Sequence, residues 1–554
     1  MADTTDTHYD TLKRLKQDAE QRQDTRIDFI KQLPTDIVTT TFVPMLMDGD
    51  FLDALQPSPS LYVSHLWRDR IQSLGGLHFK IGRKEDQDLS AVSEFTPYIK
   101  DLDIDQYTKG TWLADLIHDN DFSSLRVLDI HSFRTVHISH FLSSLKSISN
   151  TLTELSIDLE AGELLLSIPD VLLACPNLTS LRILQCSDND VSSLPITLWL
   201  TLTTLSLSSA MDLITSDHII EMWKRFPSLT SLDLHPCSDI QPALIVSNYF
   251  PTMKSLHLFM ELSDIRMIYR DERKHNQETG LTKLIIENDD WPRETCKDTT
   301  SIIKRHHDTL EHLKWDMGNS EDTETIGNIE FPRLTKLGLY FSGWQIIRNA
   351  PMLEELKLTL RIITAYPQVL DMIPPQLKSL ELDLVCWCKD VDWSPILRYL
   401  NRIALRSQLK ELVIRFSTGD EVASILDAIY RHGQLESLKI IFTKAWESGQ
   451  MERFLDGLVK VCPRLLSLEL GRKNAPSTHS LNILKRFACL NKLAISIYRT
   501  ADIDSFWDAI RMFPQPMCIM MCSSSDAEEP RIKYLRLKRP DIKINASRSS
   551  GYHM

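Results

Sequence analysis

An α/β solenoid, with strands and helices alternating along a repeating unit, is the fold class this 554-residue sequence predicts, and three observations predict it. The pattern Leu-x-x-Leu-x-Leu recurs along nearly the whole chain, as in Leu125/Leu128/Ile130, Leu178/Leu181/Ile183, Leu229/Leu232/Leu234, Leu353/Leu356/Leu358 and Leu465/Leu468/Leu470. Fifteen steps separate Ile99 from Leu490, about 26 residues each, inside the window of roughly 20 to 29 for one class of solenoid repeat. Proline stands two positions before the leading apolar residue at Pro97, Pro176, Pro227, Pro251, Pro332, Pro351, Pro375 and Pro463. Between these marks lie stretches with helical apolar spacing, such as residues 217–226 and 421–430.

Each element of the repeat has a physical reason. Offsets three and five of the pattern fit a strand, whose side chains alternate between faces. The first Leu belongs to the bend leading in, so all three reach one narrow core. Proline cannot continue a helix, so it ends the helical stretch and opens the return loop. One repeat alone cannot bury its apolar face; stacking neighbours removes it from water. Cys186 and Cys237 stand three residues after Ile183 and Leu234, and the same slot holds Ala210 and Gly318 elsewhere, so either a group that satisfies loop backbone or small size alone fits it. The spelling and spacing resemble the leucine-rich repeats, and the long strand-plus-helix unit is similar to their ribonuclease-inhibitor-like class. That resemblance implies a horseshoe of about 18 repeats over residues 73–545. Two repeats, Ile240 to Leu281 and Leu382 to Leu409, are stretched.

Composition agrees with this reading. A single compact core of 554 residues would be too large, but a solenoid grows by addition. A formal net charge of −13 speaks against general nucleic-acid binding. No apolar run approaches the roughly 20 residues of a membrane span, and the polar start Met1-Ala2-Asp3-Thr4 does not read as a signal peptide. The expected location is the cytosol or nucleus. The 10 cysteines are scattered beside apolar residues and read as reduced core thiols.

Ahead of the repeats, Leu33-Pro34-Thr35-Asp36-Ile37-Val38 opens an apolar helical stretch running to Leu46. Leu52 and then Leu61-Tyr62-Val63-Ser64-His65-Leu66-Trp67-Arg68 follow. Leu-Pro-x-acidic-Ile followed by Val-Ser-x-x-Trp-Arg resembles an F-box, and residues 28–72 would then be a small all-α module. An F-box before leucine-rich repeats is the arrangement of the F-box/leucine-rich-repeat family. The resemblance implies docking on a Skp-family adaptor, and through it on a cullin, by Leu33, Pro34, Ile37, Val38, Leu46, Leu52, Val63 and Trp67, with Trp67 the main anchor. It further implies a monomer apart from that complex, acting as the substrate-recognition subunit of a Skp-cullin-F-box ubiquitin ligase. The stretch from Leu33 to Trp67 is about seven residues longer than the usual form, and Pro44 falls inside the first helix. Read from the residues alone, 28–72 equally fits a cap on the open end of the solenoid core, leaving a scaffold or inhibitor without a ligase. Residues 1–27 read as a polar extension, and 546–554 as a disordered tail after a closing strand at 541–545.

The strand positions between and after the core leucines are free to meet a partner. Asp101, Asp103, Asp105, Asp129, Glu154 and Asp158 gather on the first strands and are suited to a basic segment. Lys283, His312, Lys314, Lys336 and Lys357 gather in the middle and are suited to an acidic or phosphorylated one. The plainer reading of both is a solvated face. No phosphate loop, dinucleotide fingerprint, nucleophile elbow or zincin motif is present. His306-His307, the trio His131, His137 and His140, and Cys386-Trp387-Cys388 come nearest to ligand clusters, with no second pair at zinc spacing. No enzyme activity, cofactor or metal is expected.

Overall fold

The computed structural model describes residues 52–53, 77–81, 93, 96–105, 111–133, 137–159, 166–186, 191–195, 199–209, 214–237, 252–260, 280–288, 297–315, 326–340, 343–385, 391–404, 408–416, 422–442, 446, 449–471, 476–496, 503–514, 516–523, 529–539 and 541–548. The chain packs as two units, Met1–Thr279 and Gly280–Met554.

Nine strands are described in the first unit: β1 (Leu52–Asp53), β2 (Leu77–Ile81), β3 (Ile99–Asp105), β4 (Val127–Phe133), β5 (Glu154–Leu159), β6 (Ser180–Cys186), β7 (Thr204–Ser209), β8 (Ser231–Cys237) and β9 (Ser255–Met260). Each pairs in parallel with the next in sequence. The register sets Leu102, Leu128, Leu155, Leu181, Leu205, Leu232 and Leu256 in one buried row. Among the described residues four helices return the chain: α1 (Thr111–Asp119), α2 (Ile138–Ile148), α3 (Ile168–Ala174) and α4 (Ser216–Arg225). In α2, Phe141, Ser144, Leu145 and Ile148 are buried at helical spacing and form the face turned to the core. Helix α3 starts where the Ser167 hydroxyl accepts the Asp170 N–H at 3.2 Å, with Pro169 in its first turn.

The second unit holds β10 (Lys283–Asn288), β11 (His312–Trp315), β12 (Lys336–Leu339), β13 (Glu355–Thr359), β14 (Ser379–Leu384), β15 (Glu411–Phe416), β16 (Ser437–Phe442), β17 (Ser467–Leu470), β18 (Lys492–Ser496), β19 (Met517–Ser523) and β20 (Ile542–Arg548), again parallel and in sequence order. Between them lie α5 (Lys297–His306), α6 (Gln345–Arg348), α7 (Leu360–Ala365), α8 (Val369–Met372), α9 (Ser394–Ile403), α10 (Val422–Ile429), α11 (Gln450–Val461), α12 (Thr478–Leu484), α13 (Ile503–Arg511) and α14 (Glu529–Lys538). The alternating parallel repeat thus matches the expected α/β solenoid within each unit.

Two devices join neighbouring repeats. At the entries of β5 to β9 and of β11 to β18 one backbone carbonyl accepts two successive N–H groups of the next repeat: Arg126 O takes Thr153 and Glu154, Thr153 O takes Thr179 and Ser180, and Thr335 O takes Glu354 and Glu355. The Thr153, Thr179, Thr203 and Thr230 hydroxyls donate to the same carbonyls at 3.0 to 3.2 Å. The second device is a core column three residues before the leading Leu, filled by Thr96, Phe122, Cys175, Trp199 and Phe226 in the first unit and by Phe331, Ala350, His432, Cys462 and Phe487 in the second, all buried. Cys186 and Cys237 are fully buried and donate to Ser208 O and Leu234 O at 3.3 and 3.7 Å, carbonyls of β7 and β8 rather than of a loop.

Three expectations change. The return segment is not always a full helix. Leu337 and Leu356 face each other across only 19 intervening steps, room for the single turn of α6, and the described residues between β6 and β7 hold no helix, Trp199 filling the core instead. The all-α reading of 28–72 fails at Leu52 and Asp53, which form a strand whose pairing with Phe79 and Lys80 satisfies the edge of β2. Strand β20 continues through Ala546, Ser547 and Arg548, beyond the expected end at 545, because Met521 to Ser523 offer backbone partners. The stretched repeat from Leu382 to Leu409 accommodates α9. Leu33, Pro34, Ile37, Val38, Leu46, Val63 and Trp67 lie outside the described residues, as do 1–27, 549–554 and Cys386-Trp387-Cys388.

Candidate functional site

Parallel strands in register turn every second residue into a column on the open face of the sheet. In the first unit the central column reads Lys80, Asp103, Asp129, Ser156, Arg182, Ser206, Asp233, His257 from β2 to β9. Asp101 and Glu154 belong to the preceding column, with Val127 between them. Asp158 lies two residues after Ser156, opposite Leu184. The predicted acidic residues therefore share one face, and the structure places basic partners among them. Lys80 donates to Asp103 Oδ2 at 2.7 Å. His78 pairs with Asp101. His131 Nε2 stands 3.5 Å from Asp103 Oδ1 and 3.5 Å from Asp129 Oδ2.

Burial decides the electrostatics here. Asp103 is only 7% exposed. Burial pushes the Asp158 carboxyl above the usual carboxylate range, Asp129 adds to the rise, and His131 and Arg182 offset part of it. Farther along, burial also acts upward on Asp233, but hydrogen bonds from His257 at 2.9 Å and Ser206 at 3.0 Å hold it below that range.

In the second unit Lys283, His312, Lys336 and Glu355 form one column, and Lys314, Gly338, Lys357 and Glu381 form the next. All five predicted basic residues are brought together, but not bare. Lys336 pairs with Glu355 at 2.8 Å and Lys357 with Glu381 at 2.7 Å, while Lys314 pairs with Glu287. Lys314 and Lys357 both lie over the Tyr340 ring, 5.3 and 5.4 Å from its centroid. Arg415 reaches Glu381 at 3.3 Å, and Lys439 reaches Glu469 at 2.8 Å. The alternation neutralises most of the predicted positive patch. Burial, then Lys283 and Lys336, keep His312 below the usual histidine range.

Reading like charges along the sequence missed Lys80, Arg182, Glu287, Tyr340, Glu381 and Arg415. Part of the signal was available: aligning the repeats puts Lys80 beside Asp103 and Lys357 beside Glu381 in the same column, one strand away, whereas Glu287 and Arg415 reach their partners from two positions along the strand.

Among the described residues no group of three or more His, Cys, Asp or Glu side chains is placed to hold a metal ion. His140 Nε2 stands 3.7 Å from Asp115 Oδ1. No described helix is long and apolar enough to cross a membrane.

No family model matches the chain, and no curated protein matches it. Among solved structures, a crystal structure of the Rad7 and Elc1 complex in yeast matches at 15% identity, covering 62% of this chain and 76% of that chain, with a TM-score of 0.30. That similarity is too low to transfer any property to this chain.

Proposed function

We propose that this chain is a protein-binding receptor whose strand faces hold a target and whose residues 28–72 dock a Skp-family adaptor, making it the substrate-recognition subunit of a Skp-cullin-F-box ubiquitin ligase. The observation that supports target binding is the open face, where regular columns of charged side chains lie over a buried leucine row. Such a face offers many polar contacts at fixed spacing, which suits a protein surface better than a small molecule. The adaptor half rests on the F-box resemblance of Leu33-Pro34 through Trp67. The receptor performs no bond chemistry; tethering raises the effective concentration of target lysines near the ubiquitin-loaded enzyme. Its place of action is the cytosol or nucleus.

A second reading has its own support. Leu52–Asp53 pairs with β2, as expected of a segment that caps the first repeat, and a capped repeat scaffold needs no adaptor. Calorimetric titration of the full chain against a Skp-family adaptor separates the two. Tight binding that is lost in the Leu33→Ala, Pro34→Ala double variant and in Trp67→Ala, with circular dichroism unchanged, supports the receptor. Wild type that does not bind leaves the scaffold.

A further inference from the structure

We propose that the first unit's strand face takes an arginine of an extended basic segment of the target, its guanidinium bridging Asp103 and Asp129. This deepens the target-binding reading above and rests on it.

Asp103 and Asp129 are register partners on β3 and β4, so their side chains leave adjacent strands about 4.8 Å apart. A guanidinium presents five donors in a planar fork and can serve two carboxylates at that separation. What now occupies the place is His131. Its Nε2 is 3.5 Å from an oxygen of each carboxylate, beyond a good hydrogen bond. Accordingly Asp103 Oδ1 and Asp129 Oδ1, with Asp101 Oδ1 beside them, are shielded from water yet accept no hydrogen bond from any described residue. Unpaired acceptors so enclosed are costly. They are most acute at Asp103, whose side chain is 11% exposed and keeps Lys80 on its other oxygen. The His131 side chain is 41% exposed and so lies on the solvent side of the slot; occupation by a better donor requires it to turn outward.

Charge complementarity selects the occupant. Asp101, Asp103, Asp129, Glu154 and Asp158 face only Lys80 and Arg182 as fixed cations on the facing positions of β2 to β6. An anionic segment is repelled. A lysine brings one compact ammonium, which can neutralise one carboxylate but cannot fork across two.

The test uses the full chain and three fluorescent octapeptides, alternating Ser with Arg, Lys or Glu, followed by anisotropy at low salt. The Arg peptide is expected to bind at least about tenfold more tightly than the Lys peptide, and the Glu peptide not at all. Asp129→Asn should weaken the Arg peptide about tenfold, and His131→Ala should tighten it severalfold by removing the competing ring. The Ala variant keeps the test decisive even if the Asn variant unfolds. Equal binding of the Arg and Lys peptides, weakened Arg binding in His131→Ala, or preference for the Glu peptide would overturn the proposal. The adaptor titration is separate, so a receptor that binds adaptor but shows no Arg preference refutes only this inference.

Discussion

Two buried histidines should make the second unit acid-sensitive. His306, at the end of α5, is 6% exposed, and His432, just after α10, is 4% exposed. Burial pushes each imidazole down to about 4; Arg305 adds to the fall at His306, and the Leu400 carbonyl acts the other way at His432. The ordinary imidazole titrates near 6.5. The folded state therefore holds these rings neutral, while the unfolded chain binds protons as pH falls below 6.5. Stability contributed by each ring is complete above that value and is lost progressively down to about 4. With 1.36 kcal/mol per pKa unit, each ring costs about 2 kcal/mol at pH 5 relative to pH 8. The pair together costs about 4 kcal/mol, a large share of a typical folding free energy. The assay is urea unfolding by circular dichroism at pH 8 and pH 5, for wild type and His432→Leu. The variant should lose about 2 kcal/mol less than wild type between the two pH values. An acid loss equal to that of wild type, within about 0.5 kcal/mol, would refute the argument.

Other expectations follow from single contacts. Arg225 is buried and donates to Leu194 O at 3.0 Å and Ser192 O at 2.5 Å; Arg225→Ala should cost about 3 kcal/mol, and Arg225→Lys should recover only part, as chemical denaturation will show. Gly343 has φ +77°, and a Cβ there would sit 2.5 Å from Trp315 Cζ3, so Gly343→Ala should lower the melting temperature with a cost of about 2 kcal/mol and alter tryptophan emission. Leu356→Ala, in the fully paired row of the second unit, should cost about 2 to 5 kcal/mol by the same unfolding assay. Glu381 serves Lys357 and Arg415; Glu381→Gln should cost about 1 kcal/mol at low ionic strength, and the difference should shrink in 1 M salt.

The repeat was legible because its physics is written in one-dimensional spacing. Offsets three and five give Leu128 and Ile130, and proline at position −2 ends the preceding segment. The buried column at −3 was missed because Thr96, Phe122, Cys175, Trp199 and His432 share burial but no residue type. Its common property appears only when the repeats are stacked. The charged faces were half legible. Lys314, Lys336 and Lys357 do meet, yet their neutralisation by Glu287, Glu355 and Glu381 comes from register between strands some twenty to thirty residues apart. A scan for like charges cannot weigh that. Likewise, the strand at Leu52–Asp53 owes its conformation to the exposed edge of β2 rather than to local propensity.

The carbonyl shared at successive strand entries from β5 to β9 and from β11 to β18 bears on how such a chain can change over time. Because Arg126, Thr153 and Thr335 each receive the following repeat through the same pair of N–H groups, the joints are interchangeable. A block of about 26 residues can be gained or lost between two of them with both flanking joints re-formed as before. Length is then an adjustable parameter, separate from the packing of any one layer. The reach of the charged face can be altered without redesigning a core.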